Sequence, residues 1–530
     1  MTPAQASGLV HAPLRDWAQS RGDAIAIANG AQSLTFAALW SAVSQHAQAL
    51  NLARAPATVL LHPAHNLSNR LVEFLGIVAS GRCAAVSDPD WPEPVLQAVQ
   101  AAMPQEPWDA TEPQPTSPFY VGFTSGSTGT PKGFRRHHRS WAESFAVCLQ
   151  DFGPDAATRI LAPGRDAHSL FLFGMLLGLW TGAGMDVQER FSAAAALDTL
   201  RQGHTPSLIA APSQLILMLE VAQHRASPPI DAVRLIMISG ARWMRHRTEE
   251  LRALFPSARI IEFYGASETS FIAWMDSDAH TPSEVVGRPF SNVALRIDET
   301  DADDGTGLIF VRSPMVFMDY FGAASDQTAA LRDGDWLSVR DLGRLDAHGS
   351  LCLAGRQNRM IVTRGKNLFA EELEAVLEAH PAVAAASVHG LDDARRGALV
   401  VAVIRWQPDA SGHANGMPAP TSHATELPPI ASRPDALQLS AWCKQMLEAF
   451  KAPRKVFVCA DWPLTVSGKT DHRKLALALR AHLDAHAAAS EPSARQSSAS
   501  ASASASASAP VAATSATSPH TPLPCLHPLP

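Results

Sequence analysis

The stretch of sequence that decides the fold is Tyr120-Val-Gly-Phe-Thr-Ser-Gly-Ser-Thr-Gly-Thr-Pro-Lys-Gly133. Its glycines allow tight turns and let backbone N–H groups come close to a ligand. Its hydroxyl side chains add hydrogen-bond donors, and Lys132 adds a positive charge. The apolar run Phe119–Phe123 predicts a strand, which places the loop at the carboxyl end of that strand. Together these features predict a loop that holds phosphate groups.

The loop departs from the Walker-type phosphate loop. That pattern requires Gly-x-x-x-x-Gly-Lys followed by Ser or Thr. Here Pro131 precedes Lys132 and Gly133 follows it, so the pattern fails. The bland alternative is a surface turn rich in Gly, Ser and Thr, but such a turn rarely places a lysine and glycines so closely after a strand. We therefore interpret the stretch as a functional loop of another kind.

The segment Thr124-Ser-Gly-Ser-Thr-Gly-Thr-Pro-Lys-Gly133 resembles the signature loop of the adenylate-forming superfamily. This superfamily includes acyl-CoA synthetases, aryl-CoA ligases, luciferases and the adenylation domains of peptide synthetases. The resemblance covers most of residues 10–480, with four separate motifs in the order typical of the family. It implies that the following loop residues bind the β- and γ-phosphates of ATP: Thr124, Ser125, Gly126, Ser127, Thr128, Gly129 and Lys132.

The composition indicates a globular protein of two or more domains. With 530 residues the chain is too long for one ordinary core, and 46% of the residues are hydrophobic while 18% are charged. The formal net charge of −7 gives no indication of nucleic-acid binding. The local exception is the basic cluster Arg135-Arg-His-His-Arg139, which we interpret as a solvated helix start. A contact with polyphosphate or CoA is the alternative for this cluster.

Several features bear on the compartment of the protein. Six cysteines are scattered without the spacing of a metal site or a disulfide framework, which fits a reducing cytoplasm. The amino terminus lacks a basic segment followed by an apolar core, so we expect no signal peptide. The most apolar stretch, Ser169–Met185, contains Ser, Thr and several glycines and falls short of a membrane span. We predict a buried helix there.

Strand and helix patterns alternate in the first part of the chain. Val59–His62 and Cys83–Val86 predict strands on either side of a helix over Asn69–Gly81. Such β-α-β alternation favours a parallel sheet covered by helices. We predict an α/β fold in which residues 1–355 form a large AMP-binding domain of several subdomains with mixed and parallel sheets. A small, mobile α+β domain is expected to follow over residues 356–482.

Two segments are predicted to be disordered. Residues 407–434 are rich in Pro, Ser and His with little periodicity, which is typical of a surface insertion. Residues 483–530 consist of Ala/Ser repeats followed by Pro and Thr, with too few bulky apolar side chains to build a core. We therefore expect a flexible tail after the small domain.

The motif Tyr264-Gly-Ala-Ser-Glu268 is the second match to the superfamily. By this resemblance Tyr264 stacks on adenine with Gly265 beside it, the hydroxyl of Ser267 touches a phosphate, and Glu268 holds Mg²⁺. The residue types suit these roles, because an aromatic face covers a purine and a carboxylate is the hard oxygen ligand that Mg²⁺ prefers.

Other residues are assigned to the site by the same resemblance. Gly240 and Ala241 are expected beside the adenine, where a larger side chain would occupy the plane of the base. Thr124 is a further candidate ligand of Mg²⁺. His168 is expected to border the carboxylate substrate, although a histidine at such a place can also be a simple core or loop residue. Trp243 could shorten the acyl pocket, and it could equally belong to the core.

The third match is the segment Asp335-Trp-Leu-Ser-Val-Arg-Asp-Leu-Gly-Arg344. Its Asp341 is expected to accept hydrogen bonds from both ribose hydroxyls, since a carboxylate offers two acceptor oxygens. Arg340 stands where relatives usually have glycine, so either the backbone differs or the arginine contacts a ligand. The resemblance further implies that Arg356 contacts the nucleotide and that Asn358 is the hinge of the small domain. Asparagine tolerates unusual backbone angles, which suits a hinge.

The fourth match is Lys469 in Pro463-Leu-Thr-Val-Ser-Gly-Lys469, which resembles the catalytic lysine of adenylation. It would bridge the acyl carboxylate and the α-phosphate, and Gly365–Asn367 would line the tunnel for the thiol. Relatives that activate amino acids usually place an aspartate near His168 to pair with the substrate ammonium. Asp166 does not line up with that position, which argues against an amino-acid substrate.

These motifs predict an ATP- and Mg²⁺-dependent acid–thiol ligase, an acyl-CoA synthetase of the AMP-forming type. The enzyme would activate a fatty or aromatic carboxylic acid as an acyl-adenylate, release pyrophosphate, and transfer the acyl group to the thiol of CoA. An enzyme that loads an acyl carrier protein is one alternative. A nucleotide-binding relative with impaired catalysis is another. The expected partners are therefore a small carboxylic acid and CoA or a carrier protein, with no nucleic acid and no membrane span.

Overall fold

The structure is a computed structural model, and its chain divides into two compact units, Met1–Gln357 and Asn358–Pro530. The division falls two residues after the boundary expected from the sequence and directly before Asn358. The structure describes residues 5, 7–124, 131–298, 300, 305–322, 326–363, 366–393, 397–407, 433–465, 469–490 and 524–529.

The first unit alternates strands and helices over most of its length. Its strands are β1 (Ile25–Asn29), β2 (Gln32–Thr35), β3 (Thr58–Leu60), β4 (Cys83–Ala85), β5 (Pro118–Thr124), β6 (Lys132–His137), β7 (Ile160–Ala162), β8 (Met185–Val187), β9 (Ser207–Ala210), β10 (Leu235–Ile238), β11 (Arg259–Ala266), β12 (Ser270–Asp276), β13 (Val285–Pro289), β14 (Ala294–Asp298), β15 (Gly307–Arg312), β16 (Asp319–Tyr320), β17 (Arg332–Asp333), β18 (Trp336–Leu337), β19 (Asp341–Leu345) and β20 (Leu351–Arg356). Its helices are α1 (Ala12–Ser20), α2 (Phe36–Leu52), α3 (Leu67–Ala79), α4 (Glu93–Ala101), α5 (His138–Phe152), α6 (Ser169–Trp180), α7 (Ala193–Arg201), α8 (Pro212–His224), α9 (Thr248–Leu254) and α10 (Asp326–Ala329).

The larger sheet of this unit has a parallel part and an antiparallel part. Its strand order is β17-β18-β15-β19-β20-β13-β12-β11-β10-β9-β7-β8-β1-β2, and β14 pairs with β15. Strands β8, β7, β9, β10 and β11 are parallel neighbours in that order, and one helix connects each to the next in sequence. Because helices cover such a sheet on its faces, the short runs Ile160–Ala162 and Leu235–Ile238 are buried throughout. The predicted α/β alternation is confirmed.

A second sheet of the first unit carries the signature loop. Its order is β16-β6-β5-β4-β3, with β3, β4 and β5 parallel and the β5–β6 and β6–β16 pairs antiparallel. In the β5–β6 pair, Thr124 lies opposite Lys132, so the loop joins two adjacent strands. The predicted strand before the loop is confirmed as β5. The residues between these strands, 125–130, lie outside the described part of the chain.

Helix α6 lies in the core of the first unit. Every residue from Phe171 to Trp180 is buried, which confirms the predicted buried helix over Ser169–Trp180. The predicted range extended to Met185, but Met185 begins strand β8. In the part of the chain that the structure describes, no helix is both long enough and apolar enough to cross a membrane. Trp243 is 3% exposed within an apolar cluster, and its indole N–H donates to Thr248 Oγ1 at 2.9 Å. Of the two interpretations of Trp243, the core residue is therefore correct.

The second unit is a small α+β structure. Its elements are β21 (Met360–Thr363), β22 (Lys366–Phe369), α11 (Ala370–Glu378), β23 (Val383–Asp393), β24 (Gly397–Trp406), α12 (Ala436–Met446), β25 (Lys455–Cys459), α13 (His472–Ser490) and β26 (Leu526–Pro528). Strands β21 and β22 form a hairpin, and β23-β24-β25-β26 form a four-stranded sheet. A large mixed α/β domain followed by a small α+β domain is the fold class that the sequence predicts.

The predicted disordered tail over residues 483–530 is wrong at both of its ends. Helix α13 continues to Ser490, since alanine is the best helix former and dominates that stretch. Leu526–Pro528 forms β26, because the last residues contain leucines that the Ala/Ser repeat lacks. Residues 491–523, and residues 408–432 of the predicted insertion, lie outside the described residues.

Candidate active site

The carboxyl ends of the parallel strands gather several of the predicted site residues. His168 directly precedes α6 in the connection after β7, Gly240 and Ala241 follow β10, and Tyr264 lies near the end of β11. Ends of parallel strands meet at one edge of a sheet, where ligands bind in open α/β folds. A Cβ atom at Gly240 would lie 3.7 Å from Leu170 Cδ2, so the segment after β10 is next to the start of α6.

Tyr264, Asp341 and Arg356 form one hydrogen-bonded group. The hydroxyl of Tyr264 donates to Oδ2 of Asp341, and Nε of Arg356 donates to Oδ1 at 3.1 Å. Asp341 opens β19 and Arg356 ends β20, and the two residues are partners in the antiparallel register. Burial and the charge of Asp341 raise the pKa of Tyr264 well above its usual value, so the phenol remains a donor. Residues from the second and third motifs, together with Arg356, thus meet at one carboxylate.

Arg340 has the backbone conformation that a glycine favours. Its φ is +65°, in the left-handed region, and its side chain is exposed. The N–H of Arg340 donates to Ser338 Oγ at 3.1 Å, and its carbonyl accepts from Gln357 N at 3.0 Å. The backbone directly before Asp341 is therefore left-handed, the conformation that glycine favours, and both alternatives for Arg340 stay open.

Glu268 and Lys132 are connected by a residue that the sequence did not reveal, Tyr320. The hydroxyl of Tyr320 donates to Glu268 Oε1 at 2.8 Å. The ammonium of Lys132 lies 3.0 Å from the centroid of the Tyr320 ring and donates to Gln327 Oε1 at 2.6 Å. Burial raises the pKa of Tyr320, with the charge of Glu268 acting in the same direction. One tyrosine therefore contacts both the predicted Mg²⁺ ligand and the predicted phosphate-binding lysine.

The interpretation of the basic cluster after the loop as a solvated helix start is correct only for the end of the cluster, where α5 begins. Arg135, Arg136 and His137 belong to β6, and α5 begins only at His138. Arg135 forms an ion pair with Asp319, its partner in the neighbouring strand β16. The side chains alternate because the segment is a strand, which points some of these charged groups into the protein.

Arg136 is the buried arginine of this cluster, with only 2% of its surface exposed. Its guanidinium donates to the carbonyl oxygen of Ser267 at 2.8 Å, to that of Met315 at 2.5 Å, and to Ser140 Oγ at 3.2 Å. Burial lowers its pKa to about 10, so the group remains charged at neutral pH. Arg136 thus fixes the backbone directly before Glu268, and the backbone carbonyl of Glu268 accepts from Phe317 N at 2.7 Å.

The turn that carries the second motif has no room for a side chain at Gly265. A Cβ atom there would lie 2.0 Å from the carbonyl oxygen of Ser270. The pairing of β11 with β12 shifts register between Tyr264 and Gly265, and Ser270 has a φ of +62°. The close approach requires glycine, and it sets where the chain turns before Ser267 and Glu268.

Two of the predicted phosphate-binding residues of the signature loop, Thr124 and Lys132, are within the described part of the chain. Thr124 Oγ1 donates to the carbonyl of Lys132 at 3.4 Å across the ends of β5 and β6. The other predicted phosphate-binding residues lie outside the described residues: Ser125, Gly126, Ser127, Thr128 and Gly129. Their role stays a prediction.

The donor set near Glu268 fits a magnesium ion that a polyphosphate brings with it. Oε1 of Glu268 accepts from Tyr320, and a second carboxylate oxygen remains as a hard ligand. Among the described residues, no group of three His, Cys, Asp or Glu side chains is placed to hold a metal. Mg²⁺ typically binds one or two carboxylates together with substrate phosphates and water, which is what a single Glu268 allows.

Asp166 is engaged by a buried arginine. Arg70 is 1% exposed and Asp166 2%, and Nε of Arg70 lies 2.9 Å from Asp166 Oδ2. Arg70 also donates to the carbonyl of Ser87 at 2.6 Å and to that of His62 at 3.1 Å. The pair holds the connection between β7 and His168, and it leaves Asp166 unsuited to pair with a substrate ammonium.

Lys469 and Asn358 belong to the second unit. The N–H of Lys469 donates to Thr465 Oγ1 at 3.1 Å, and Thr465 N donates to the carbonyl of Lys469 at 2.7 Å. The backbone at Asn358 lies in the 3₁₀ turn Gln357–Arg359. Gly365, at the start of the predicted tunnel segment, lies outside the described residues. The catalytic, hinge and tunnel roles stay predictions.

Comparison with known proteins identifies the family. The model of the AMP-binding enzyme family matches residues 52–321, more than half of the chain, and the model of its C-terminal domain matches residues 372–469. The sequence is 36% identical over 369 residues to an uncharacterized acyl-CoA ligase, YhfT, of Bacillus subtilis (strain 168), a match that covers 68% of this chain and 69% of that ligase. It is 28% identical over 396 residues to the chloroplastic/peroxisomal 2-succinylbenzoate–CoA ligase of Arabidopsis thaliana. This match covers 68% of this chain and 67% of that ligase.

Solved structures share the fold. O-succinylbenzoate coenzyme A synthetase (MenE) from Bacillus subtilis, in complex with AMP, aligns with a TM-score of 0.71 at 22% identity, covering 87% of this chain and 97% of that one. ATP-bound MatB from Rhodopseudomonas palustris aligns with a TM-score of 0.72 at 20% identity, and the alignment covers 88% of this chain and 98% of that one. The chain belongs to the AMP-binding enzyme family, and the ligases named above are acyl-CoA ligases of that family. The resemblance stated from the sequence motifs is confirmed.

Proposed function

We propose that this protein activates a carboxylic acid with ATP as an acyl-adenylate and transfers the acyl group to the thiol of CoA. The observation that carries the proposal is the group formed by Tyr264, Asp341 and Arg356. These residues come from separate motifs, and Tyr264 and Asp341 are 77 positions apart. Their union places an aromatic face beside a carboxylate, which suits an adenosine: the ring covers the base and the carboxylate accepts from ribose hydroxyls.

The phosphates of ATP are assigned to the neighbouring group. Lys132 supplies positive charge, and Thr124 and the loop after it supply donors. Glu268 would hold Mg²⁺, and the ion would offset the negative charge of the pyrophosphate. Tyr320 orients the carboxylate of Glu268, and Arg136 holds the backbone carbonyl of the preceding residue, Ser267.

The chemistry needs activation because a free carboxylate has oxide as its leaving group. One carboxylate oxygen attacks the α-phosphorus, the bond to the β-phosphate oxygen breaks, and pyrophosphate leaves. Lys469 is the residue we assign to the carboxylate and the α-phosphate, where its ammonium offsets the charge of the transition state. The thiolate of CoA then attacks the acyl carbon, and AMP leaves with the electron pair of the anhydride bond.

Two observations bear on the acid. Asp166, which is near the expected position of a substrate-binding aspartate, is paired with Arg70 and is therefore unsuited to bind the ammonium of an amino acid. The names of relatives include a 2-succinylbenzoate–CoA ligase, an indoleacetate–CoA ligase from Aromatoleum aromaticum and a putative long chain fatty acid–CoA ligase from Staphylococcus epidermidis. We therefore propose that the substrate is a fatty or aromatic acid and that CoA, rather than a carrier protein, is the acceptor. His168 is proposed to border the acid.

The test is acid-dependent exchange of labelled pyrophosphate into ATP across a panel of aromatic and fatty acids. Lys469→Ala should abolish the exchange, while Lys444→Ala, which removes an exposed lysine of α12, should leave it unchanged. Thioester formation with CoA or with an acyl carrier protein then identifies the acceptor. Exchange that persists in Lys469→Ala would overturn the assignment of the lysine, and the absence of exchange with every acid would overturn the activity.

A further inference from the structure

The last described segment of the chain forms a strand at the edge of the small sheet in the second unit. β26 (Leu526–Pro528) lies antiparallel to β25, with Leu526 opposite Cys459. The N–H of Leu529 donates to the carbonyl of Val456 at 2.8 Å. The segment therefore covers backbone groups of β25 that would otherwise stand unpaired at the edge of the sheet.

The sequence of this segment differs from the tail before it. Residues 491–523 are mostly Ala, Ser, Thr and Pro, whereas residues 524–529 are Pro-Cys-Leu-His-Pro-Leu. Leu526 is only 4% exposed, while His527 and Pro528 are exposed. Proline lacks the N–H group that an inner strand must donate, so its presence suits an edge strand. The segment has the pattern of a strand that docks one leucine.

The docked leucine belongs to the apolar cluster next to the turn of Lys469. Leu526 shares this cluster with Phe457, Trp462 and Leu475, and β26 packs against α13. The indole N–H of Trp462 donates to Thr470 Oγ1 at 3.1 Å. Thr470 directly follows Lys469 and pairs with Leu464 in an isolated bridge.

We propose that the edge of β25 is a binding site for the chain's own segment 524–529, and that its occupation holds Trp462 and thereby the turn that carries Lys469. The docking is independent of the proposed function. Only the consequence for Lys469 rests on it. Main-chain pairing supplies most of the recognition, and the pocket for Leu526 supplies the specificity, as in other cases of strand addition.

Covalent attachment favours the chain's own segment over that of a second copy. The 33 residues from 491 to 523 can span at most about 110 Å. One segment spread evenly over a sphere of that radius has a local concentration on the order of 0.3 mM, which a second copy reaches only at a similar protein concentration. A segment of weak intrinsic affinity therefore remains docked in dilute protein.

The first test uses the full chain. Leu526→Asp places a carboxylate in the apolar cluster, and His527→Asp places the same group on the exposed side of the same strand. The first variant should melt at least about 3 °C lower than the wild type and lose at least threefold in pyrophosphate exchange. The second variant should match the wild type in both. Equal behaviour of the two variants in melting would overturn the docking.

The second test supplies the strand in trans. A variant that lacks residues 491–530 should bind a fluorescent peptide of residues 524–530 saturably, as measured by anisotropy, and should recover melting temperature on binding. The same peptide with Leu526→Asp should do neither. Failure of the wild-type peptide to bind, together with wild-type melting of the shortened variant, would show that the strand contributes nothing.

The oligomeric state, measured by light scattering, decides whether the strand comes from the same chain or from a second copy. The measurement is made at about 10 µM protein, far below the local concentration of the attached segment. A monomer with wild-type melting supports the chain's own segment, whereas a dimer that Leu526→Asp dissociates would assign the strand to a second copy and overturn the proposal. The peptide and melting measurements need no acyl substrate. Docking without exchange for any acid would therefore remove the proposed activity and leave the binding site intact.

Discussion

The hydroxyl of Tyr264 donates a hydrogen bond to the carboxylate of Asp341, and that carboxylate also accepts from Arg356 through its other oxygen. Each carboxylate oxygen has two lone pairs, so both oxygens can still accept from ribose hydroxyls. Asp341 is therefore oriented by protein donors before a nucleotide arrives. Such orientation lowers the entropy lost on binding.

Tyr264→Phe should raise the KM for ATP by about tenfold with little change in kcat. The substitution keeps the ring that we propose covers the adenine and removes only the donor to Asp341. A hydrogen bond to a charged group contributes about 1.5 kcal/mol or more, and about 1.4 kcal/mol corresponds to a factor of ten. Tyr120→Phe, which removes the 3.1 Å contact with Ser169, is the matched control and should leave the KM for ATP unchanged. An unchanged KM in Tyr264→Phe would show that the hydroxyl does not orient Asp341.

Tyr320→Phe should raise the Mg²⁺ concentration needed for half-maximal pyrophosphate exchange. The variant keeps the ring face for Lys132 and removes the 2.8 Å hydrogen bond to Glu268. Tyr320→Leu removes both contacts and should add an increase in the KM for ATP, because Lys132 loses the ring that it lies against. The measurement is a Mg²⁺ titration of exchange at fixed free ATP. If Tyr320→Phe and Tyr320→Leu have the same KM for ATP, the contact between the Tyr320 ring and Lys132 does not contribute to ATP binding.

Arg340→Gly should stabilise the first unit by about 0.5 to 1 kcal/mol. The left-handed conformation costs a residue with a Cβ atom about 1 to 2 kcal/mol, and glycine returns part of this through its greater freedom in the unfolded chain. Gly349→Ala is the reverse control: its φ is +78° with open space around a Cβ, so only backbone strain should lower the stability. Thermal melting measures both. Destabilisation by Arg340→Gly would mean that the arginine side chain contributes contacts of its own.

Local patterns in the sequence were sufficient for the fold class, the strand before the signature loop and the buried helix α6. They were insufficient for Tyr320 and Arg136, because both act on the second motif from strands that become its neighbours only in three dimensions. Arg136 and Ser267 are 131 positions apart. One feature of the sequence could have pointed to Tyr320, because the chain has only three tyrosines. In the structure two of them, Tyr264 and Tyr320, donate to predicted site carboxylates.

The errors have similar physical causes. The basic cluster seemed solvated because its charge was weighed without the alternation of a strand, which buries Arg136. Arg340 could not be interpreted from the sequence, since residue type alone does not reveal a φ of +65°. The docking of Leu526 depends on a sheet edge formed by β25, and composition alone gave no indication of that edge.

His137→Asn should make the stability of the protein less sensitive to acid. Burial, followed by the charges of Arg136 and Arg139, lowers the pKa of His137 to about 4. Below pH 6.5 the unfolded chain binds a proton at this histidine that the folded chain does not, so stability falls as the pH drops from 6.5 towards 4. Protonation would also remove the Nδ1 acceptor for Ser140 N, at 3.0 Å.

Asparagine keeps a good N-cap acceptor for α5 and does not titrate. The difference in melting temperature between the variant and the wild type should therefore shift in favour of the variant from pH 7 to pH 4.5. The other histidines are common to both proteins and cancel in that difference. Parallel melting curves across this range would contradict the assigned role of His137.

Arg136→Met should both destabilise the first unit and weaken its response to Mg²⁺. The change leaves the carbonyl groups of Ser267 and Met315 without their donor, at a cost of about 1 to 3 kcal/mol per buried group. It also loosens the backbone before Glu268, which should raise the Mg²⁺ requirement of exchange severalfold, an effect that a purely structural role would not produce. Arg136→Lys keeps the positive charge but loses the several N–H donors of the guanidinium, so its stability and Mg²⁺ requirement should lie between those of the wild type and Arg136→Met. Arg139→Met removes an exposed arginine and should match the wild type in both measurements. A lower melting temperature with an unchanged Mg²⁺ titration would reduce Arg136 to a structural residue.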